Sequence, residues 1–273
     1  MSVDEHLRAG RLPEALVAAQ DAVRADPAQG APRLLLAQLL MVMGQWDRAS
    51  NQWKVLGDLD PNSTLLAQTF ASLIRIEEER RAVFAGERLP VVFGEPERWT
   101  GSLVQAVRLA AQGQYPAAQE LMAAALEEAP AVGGTINGEP FAWLADSDSR
   151  LGPMIEAVIE GRYVWIPFTR IRGMLAGPPA TLRDLIWAPF HFTWINGGQA
   201  AGFVPVRYPG TEKIGDDPAR LARRTDWAEP AAGWFHGVGQ RVLATDQANY
   251  ALLDIRLVEF VPAPDETVAA SNG

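Results

Sequence analysis

Gly10-Arg-Leu-Pro-Glu-Ala15 returns as Gly44-Gln-Trp-Asp-Arg-Ala49, and Asp26-Pro27 returns as Asp60-Pro61. Both pairs are 34 residues apart. A third copy, Gly113-Gln-Tyr-Pro-Ala-Ala118 followed by Ala129-Pro130, begins 69 residues beyond the second, close to two periods. Self-similarity at a fixed period marks stacked supersecondary units. The chemistry of each position explains its recurrence. Gly10, Gly44 and Gly113 stand where a tight helix-to-helix turn needs a residue without Cβ. Leu12, Trp46 and Tyr115 follow as an apolar plug, and Ala15, Ala49 and Ala118 are small enough for two helices to approach closely. Pro27, Pro61 and Pro130 end each second helix, because proline cannot continue the hydrogen-bond ladder.

The pattern resembles the tetratricopeptide repeat, a helix-turn-helix unit of this length whose arrays bind peptides or helices along a concave surface. On that template Leu34, Gln38 and Met41 face the concave surface of the central unit and are candidate partner-binding residues. The competing reading is that a neighbouring helix or the second half of the chain covers them, since an apolar stripe at helical spacing is usually core. The array is degenerate. Residues 2–9 leave room for only a stub of a first helix, and residues 86–98 break the register. The segment 64–84, apolar at Leu65, Leu66, Phe70, Leu73, Ile74 and Ile76, reads as a first helix whose partner is missing or remodelled. A short array cannot bury its end faces, so the second half is expected to pack against it.

The whole chain, 273 residues with 48% hydrophobic and 21% charged, has the balance of a globular protein large enough to bury a core without staples. It contains no cysteine, which excludes disulfides and thiolate metal sites and fits a reducing compartment. The opening thirty residues are interrupted by charge every few positions, so no signal peptide is expected, and no apolar window is long enough for a membrane helix. A cytoplasmic location follows as the expectation. The net charge of −9 argues against nucleic acid as a partner, because binding it requires a basic surface. The arginines scattered over 150–183 fit a solvated or paired surface better than a nucleic-acid footprint.

After Pro130 the period changes. Ala131-Val-Gly-Gly-Thr-Ile-Asn-Gly138 is turn chemistry, and short β-branched and aromatic runs follow. Strands are predicted at 140–145, 162–167, 189–195, 199–206, 239–245 and 250–260, with Asn196-Gly197 turning a hairpin. A helix is predicted from about 150 to 160, stopped by Gly161, and shorter helical pieces at 181–187 and 217–223. The fold class is therefore α+β: tetratricopeptide-like all-α repeats over 1–131, an α+β domain with a mostly antiparallel sheet over 136–262, and a disordered tail over 263–273.

Seven blocks of the second half keep their order along a known family. They are Asp146-Ser-Asp-Ser-Arg-Leu-Gly-Pro153, Gly161-Arg-Tyr-Val-Trp-Ile-Pro-Phe168, Leu182-Arg-Asp-Leu-Ile-Trp187, Val204-Pro-Val-Arg-Tyr-Pro-Gly210, Arg224-Thr-Asp-Trp227, Gly239-Gln-Arg-Val-Leu-Ala-Thr-Asp246 and Leu252-Leu-Asp-Ile-Arg-Leu-Val-Glu-Phe260. Together they resemble the ImpE/TagJ family, also called SciE-type virulence proteins, in which a helical half likewise precedes these blocks. The resemblance implies a non-enzymatic accessory role in bacterial type VI secretion. It also implies binding to the small subunit of the cytoplasmic sheath through a helix near that subunit's N-terminus, with the sheath-recycling ATPase reached only indirectly. The family has no established catalytic residues, so no catalytic, cofactor-binding or metal-binding residue is carried over.

Read without the resemblance, the strongest rival is a metal-dependent hydrolase centred on Asp146 and Asp148, which could chelate Mg²⁺ or divide acid and base roles in a cleft with Arg150, Asp184 or His191. The same letters describe a strand end followed by a helix N-cap with a local salt bridge to Arg150. His6, His191 and His236 are isolated and lack the spacing of a helical zinc pair. No Gly-x-Ser-x-Gly elbow and no phosphate-cradling loop is present. Six tryptophans fall in the second half. Trp187 and Trp234, beside proline or glycine in predicted loops, are the candidate partner-binding pair, and the other four read as core.

Overall fold

A computed structural model describes residues 1–261; the tail expected over 263–273 lies outside the described residues. Seven helices form the first half: α1 (Val3–Arg8), α2 (Leu12–Ala25), α3 (Gly30–Val42), α4 (Trp46–Leu59), α5 (Thr64–Phe84), α6 (Arg98–Ala111) and α7 (Tyr115–Glu128). The repeat glycines sit in the left-handed region, with φ of 68° at Gly10, 67° at Gly44 and 76° at Gly113. Ala15, Ala49 and Ala118 are wholly buried at the helix crossings. α1 is the stub that the repeat left room for, closed by a capping box between Ser2 and Glu5. α5 is the unit without a second helix. After it the chain leaves the repeat path and lays β1 (Val91–Val92) parallel to β6 (Arg162–Pro167) at the edge of the main sheet. That edge strand is what interrupts the register at 86–98.

The second half contains β2 (Gly134–Ile136), β3 (Glu139–Phe141), β4 (Leu144–Asp146), β5 (Met154–Ile159), β6, β7 (Ile171–Ala176), β8 (Trp187–Trp194) and β9 (Gln199–Pro205). Two short helices, α8 (Thr211–Ile214) and α9 (Asp217–Arg220), precede β10 (Thr225–Ala231), β11 (Trp234–Gly239), β12 (Val242–Thr245), β13 (Asn249–Ala251) and β14 (Leu257–Phe260). Nine strands form one sheet in the order β1-β6-β5-β9-β8-β7-β14-β2-β3, in which every neighbouring pair except β1–β6 is antiparallel. β10 and β11 make a hairpin, and β13-β12-β4 a small second sheet.

The main sheet is buried on both faces near its middle. One face, including Met154, Val158, Tyr163, Trp165 and Trp187, joins α1 through α7 in a core that crosses from the first half to the second. The other, including Ile155, Ile166, Phe190, Phe192, Met174 and Val258, encloses a core whose buried members all come from the second half, with Phe93 packed against it.

This double burial corrects the sequence reading at 150–160. Met154-Ile-Glu-Ala-Val-Ile159 is strand β5, not a helix, and all six residues are buried. A strand covered on both faces loses the polar alternation that identifies strands. Gly161 does not cap a helix. With Glu160 it forms the two-residue turn of the β5–β6 hairpin, at φ 51° and 75°. Pro153 accordingly precedes a strand. The piece predicted at 181–187 is a 3-10 turn, Leu182–Leu185, leading into β8, and that at 217–223 shrinks to α9. The predicted strand 162–167 coincides with β6, and the Asn196-Gly197 hairpin joins β8 to β9 with Gly197 at φ 84°. The run 250–260 divides into β13, a 3-10 turn and β14. β1, β2, β7 and β10 lie outside the predicted strands, and β11 meets them only at Gly239.

Candidate functional site

The charged residues of the Asp146–Arg150 block lie under the surface, where β4, β5, β12 and α5 meet. Asp146 ends β4 and no helix follows it. The chain instead makes two successive side-chain-stabilised turns: Asp148 N donates to Asp146 Oδ1 at 2.9 Å, and Arg150 N donates to Asp148 Oδ1 at 3.0 Å. The helix N-cap reading is therefore replaced by turn caps, while the Arg150 salt bridge is present, with Nε and Nη2 on the two oxygens of Asp148 at 2.8 and 2.6 Å. Gly237 N adds a fourth bond to Asp148 at 2.8 Å.

Glu156 of β5 anchors the neighbouring cluster. Arg80 of α5 grips both its oxygens at 2.7 and 2.6 Å, and Tyr163 Oη donates to it at 2.6 Å. Arg241, which has no solvent exposure, bridges Glu156 and Asp146, and Tyr208 Oη donates to Asp146 at 3.0 Å. Each of the six carboxylate oxygens thus accepts from at least one protein donor. Burial pushes Asp146 up to about 6 against the pull of Arg241. Burial works the same way on Asp148 and Glu156, but Arg150 and the Arg80–Arg241 pair outweigh it and hold both below the usual range.

A second set of charges fastens the halves at helix ends. Arg207 Nη1 donates to the Val42 carbonyl at the end of α3 at 2.7 Å, and Arg223 Nη2 donates to the Leu7 carbonyl of α1 at 2.8 Å. Asp217 accepts from Leu12 N at the start of α2 at 3.0 Å. Cations thus meet helix C-termini and an anion meets an N-terminus, as the helix dipole favours. Beside this seam lies a cleft of about 590 Å³ lined by Trp46, Glu77, Arg81, Arg150, Glu212 and Lys213, its charges of both signs interleaved.

Asp146 and Asp148 are 4% and 1% exposed, and their oxygens face arginine and backbone donors. Asp184 and His191, the possible partners of an acid–base cluster, lie elsewhere. Asp184 accepts from the amides of Ala180 and Thr181, and His191 is exposed on β8. Among the described residues no group of three or more His, Cys, Asp or Glu is placed to hold a metal.

The partner-binding candidates sit deeper than the repeat template suggests. Gln38 and Met41 are buried and Leu34 is half-buried against the shared core. α3 is covered by α2 and α4, where Trp53 Nε1 donates to Met41 Sδ at 3.1 Å, and by the 3-10 turn Leu182–Leu185, whose Leu182 and Leu185 pack on that core while Arg183 lies over the Phe70 ring of α5 at 5.4 Å. The concave face of the repeats is occupied by the chain itself. Trp187 and Trp234 belong to strands, not loops, and are 0% and 1% exposed. Trp187 points into the shared core, and Trp234 donates to His236 Nε2 at 2.7 Å and packs near Tyr115. The half-exposed tryptophans are Trp143 and Trp227. Arg80, Glu156, Tyr208 and Arg241 escaped the sequence reading. Only Glu156 carried a signal, a charge inside the apolar run Met-Ile-Glu-Ala-Val-Ile, which is tolerable in a core only when paired.

A family model described as ImpE protein matches residues 138–259, and a tetratricopeptide-repeat model matches residues 6–73. The type VI secretion system accessory component TagJ of Pseudomonas aeruginosa is 46% identical over 262 residues, covering 96% of this chain and 92% of that protein. The chain belongs to the ImpE family. The crystal structure of protein VPA1032 from Vibrio parahaemolyticus has the same fold, with a TM-score of 0.86 over 97% of this chain and 99% of that one, at 24% identity. Four of the seven blocks that carry the ImpE resemblance supply members of the buried charge network: Asp146, Asp148 and Arg150; Tyr163; Tyr208; and Arg241. The Arg80–Glu156 pair that ties helix to sheet lies outside every block.

Proposed function

We propose that this ImpE-family protein is a cytoplasmic, non-enzymatic adaptor of a type VI secretion system that binds the small sheath subunit through an amphipathic helix near that subunit's N-terminus. Identity of 46% along nearly the full length of a type VI accessory component carries the reading. The architecture supports it: repeat arrays and mixed α+β surfaces seat helices by i, i+3, i+4, i+7 apolar anchors. The carboxylates that offered a hydrolytic alternative are bonded to arginines and amides in a buried joint, which favours a structural role for them. No helix in the described residues is long and apolar enough to cross a membrane, and the acidic balance disfavours nucleic acid. The sheath-recycling ATPase is reached through the sheath and not by direct contact.

Titration calorimetry of the protein with the N-terminal segment of the sheath subunit tests the reading. A saturable heat with micromolar affinity is expected, together with co-purification of the sheath subunit. Absence of both would remove the sheath from its partners.

A further inference from the structure

The repeat array has a ligand already, and it is part of the same chain. Residues 177–186 run from the end of β7 to the start of β8 as a strap across α3 and α5. Leu182 and Leu185, three residues apart on one 3-10 turn, press on the shared core, and Arg183 between them stacks on Phe70. Gln38 and Met41 are buried on the helix beneath. The strap begins at Gly177-Pro-Pro, each residue from Thr181 to Leu185 is only partly buried, and Trp187 Nε1, just past its end, is buried without a hydrogen-bond partner. Buried polar atoms left unpaired weaken the closed arrangement.

We infer that the strap is a built-in substitute ligand on the concave face. The occupant it stands in for is a short helical segment of a partner protein, with two leucine-class side chains three residues apart and an arginine or lysine between them. A segment of that chemistry competes with the strap for Phe70 and for the leucine sites on α3. The inference deepens the adaptor reading and rests on it, since it names the surface that the partner's helix takes. Tethering at both ends gives the strap a high local concentration, so a partner must add contacts beyond the two leucines to displace it.

Two measurements test this. A fluorescein-labelled peptide with the sequence of residues 178–187 should bind the Leu182→Ser/Leu185→Ser variant about tenfold or more tightly than the unaltered protein, read by anisotropy. Equal binding to both, or none to a variant whose circular dichroism is native, overturns the inference. The second keeps the strap native in all but one residue. Because the chain has no cysteine, Leu182→Cys places a single thiol at the strap. Adding the sheath subunit's N-terminal segment should raise the rate of thiol labelling about tenfold or more as the strap leaves. If the segment binds and the labelling rate stays unchanged, the partner sits elsewhere, the adaptor reading stands and the strap inference falls. If the segment does not bind at all while the strap peptide still prefers the serine variant, the face takes this chemistry and it is the sheath that is wrong.

Discussion

Glu156 receives Arg80, Arg241 and Tyr163 in a site without water exposure, and removing one partner of such a cluster leaves uncompensated charge. Glu156→Gln is expected to lower the unfolding free energy by roughly 3–5 kcal/mol in urea titration. Asp146→Asn should cost clearly less at neutral pH, because burial already works against ionisation there. Two of the displaced groups, His236 and Asp146, oppose each other on acidification. Burial, reinforced by Arg150, drives His236 down to about 4, so the unfolded chain takes up its proton first. The stability it supports is complete above pH 6.5 and is lost as pH falls toward 4. Asp146 runs the other way: its folded value near 6 exceeds the ordinary 3.8, so the folded state binds the proton more tightly and gains as pH falls through that window. Between pH 7 and 5 His236→Gln should therefore become more stable relative to the parent by about 1 kcal/mol, after allowance for the partial exposure of the ring. Asp146→Asn should become less stable relative to the parent over the same range. Matching pH slopes for parent and variants in urea titrations would contradict both assignments.

At the scale of elements, Gly44 and Gly113 form a natural comparison. Both occupy the same repeat position with nearly the same positive φ, 67° and 76°. A Cβ at Gly113 meets open space, whereas one at Gly44 runs into the Glu212 side chain of α8. Gly113→Ala should cost about 1 kcal/mol from the backbone conformation alone, and Gly44→Ala more, in thermal or urea unfolding. The difference measures how tightly the second half is pressed on the α3–α4 turn. The same repeat logic made the helices readable from sequence, because glycine, alanine and proline act locally. It also contained an unused signal. Leu34-Leu-Leu-Ala-Gln-Leu-Leu-Met-Val42 is apolar nearly all round, and such a helix is covered on every side. Gln38 and Met41 were therefore marked for burial by their own neighbours. β5 was misread for the related reason that burial on both faces erases a strand's alternation.

For the whole molecule, the first core draws side chains from α1 to α7 and from β5, β6, β8 and β11 together. The helices and the sheet should therefore unfold as one unit, giving coincident urea transitions by far-ultraviolet dichroism and by tryptophan fluorescence. Deleting residues 136–273 strips Trp165, Trp187, Arg207, Asp217 and Arg223 from the helices, exposing a continuous apolar face and freeing three helix ends. That fragment should lose cooperative unfolding and expose hydrophobic surface to dye; a fragment with a sharp transition of its own would show the repeats to be self-sufficient.

The sequence by itself determined the helix-turn-helix period, the change to strands after Pro130, the β8–β9 hairpin and, through seven ordered blocks, the family. Each depends on short-range chemistry: positive φ, a missing amide hydrogen, or letters held in order. Only the tertiary structure decided that Asp146, Asp148 and Glu156 converge on arginines from separate elements, that Trp187 and Trp234 face inward, and that Leu182 and Leu185 lie on the concave face. Those are contacts between residues far apart along the chain, 95 positions in the case of Arg241 with Asp146, and spacing along a chain carries no information about which distant side chains close packing will bring together.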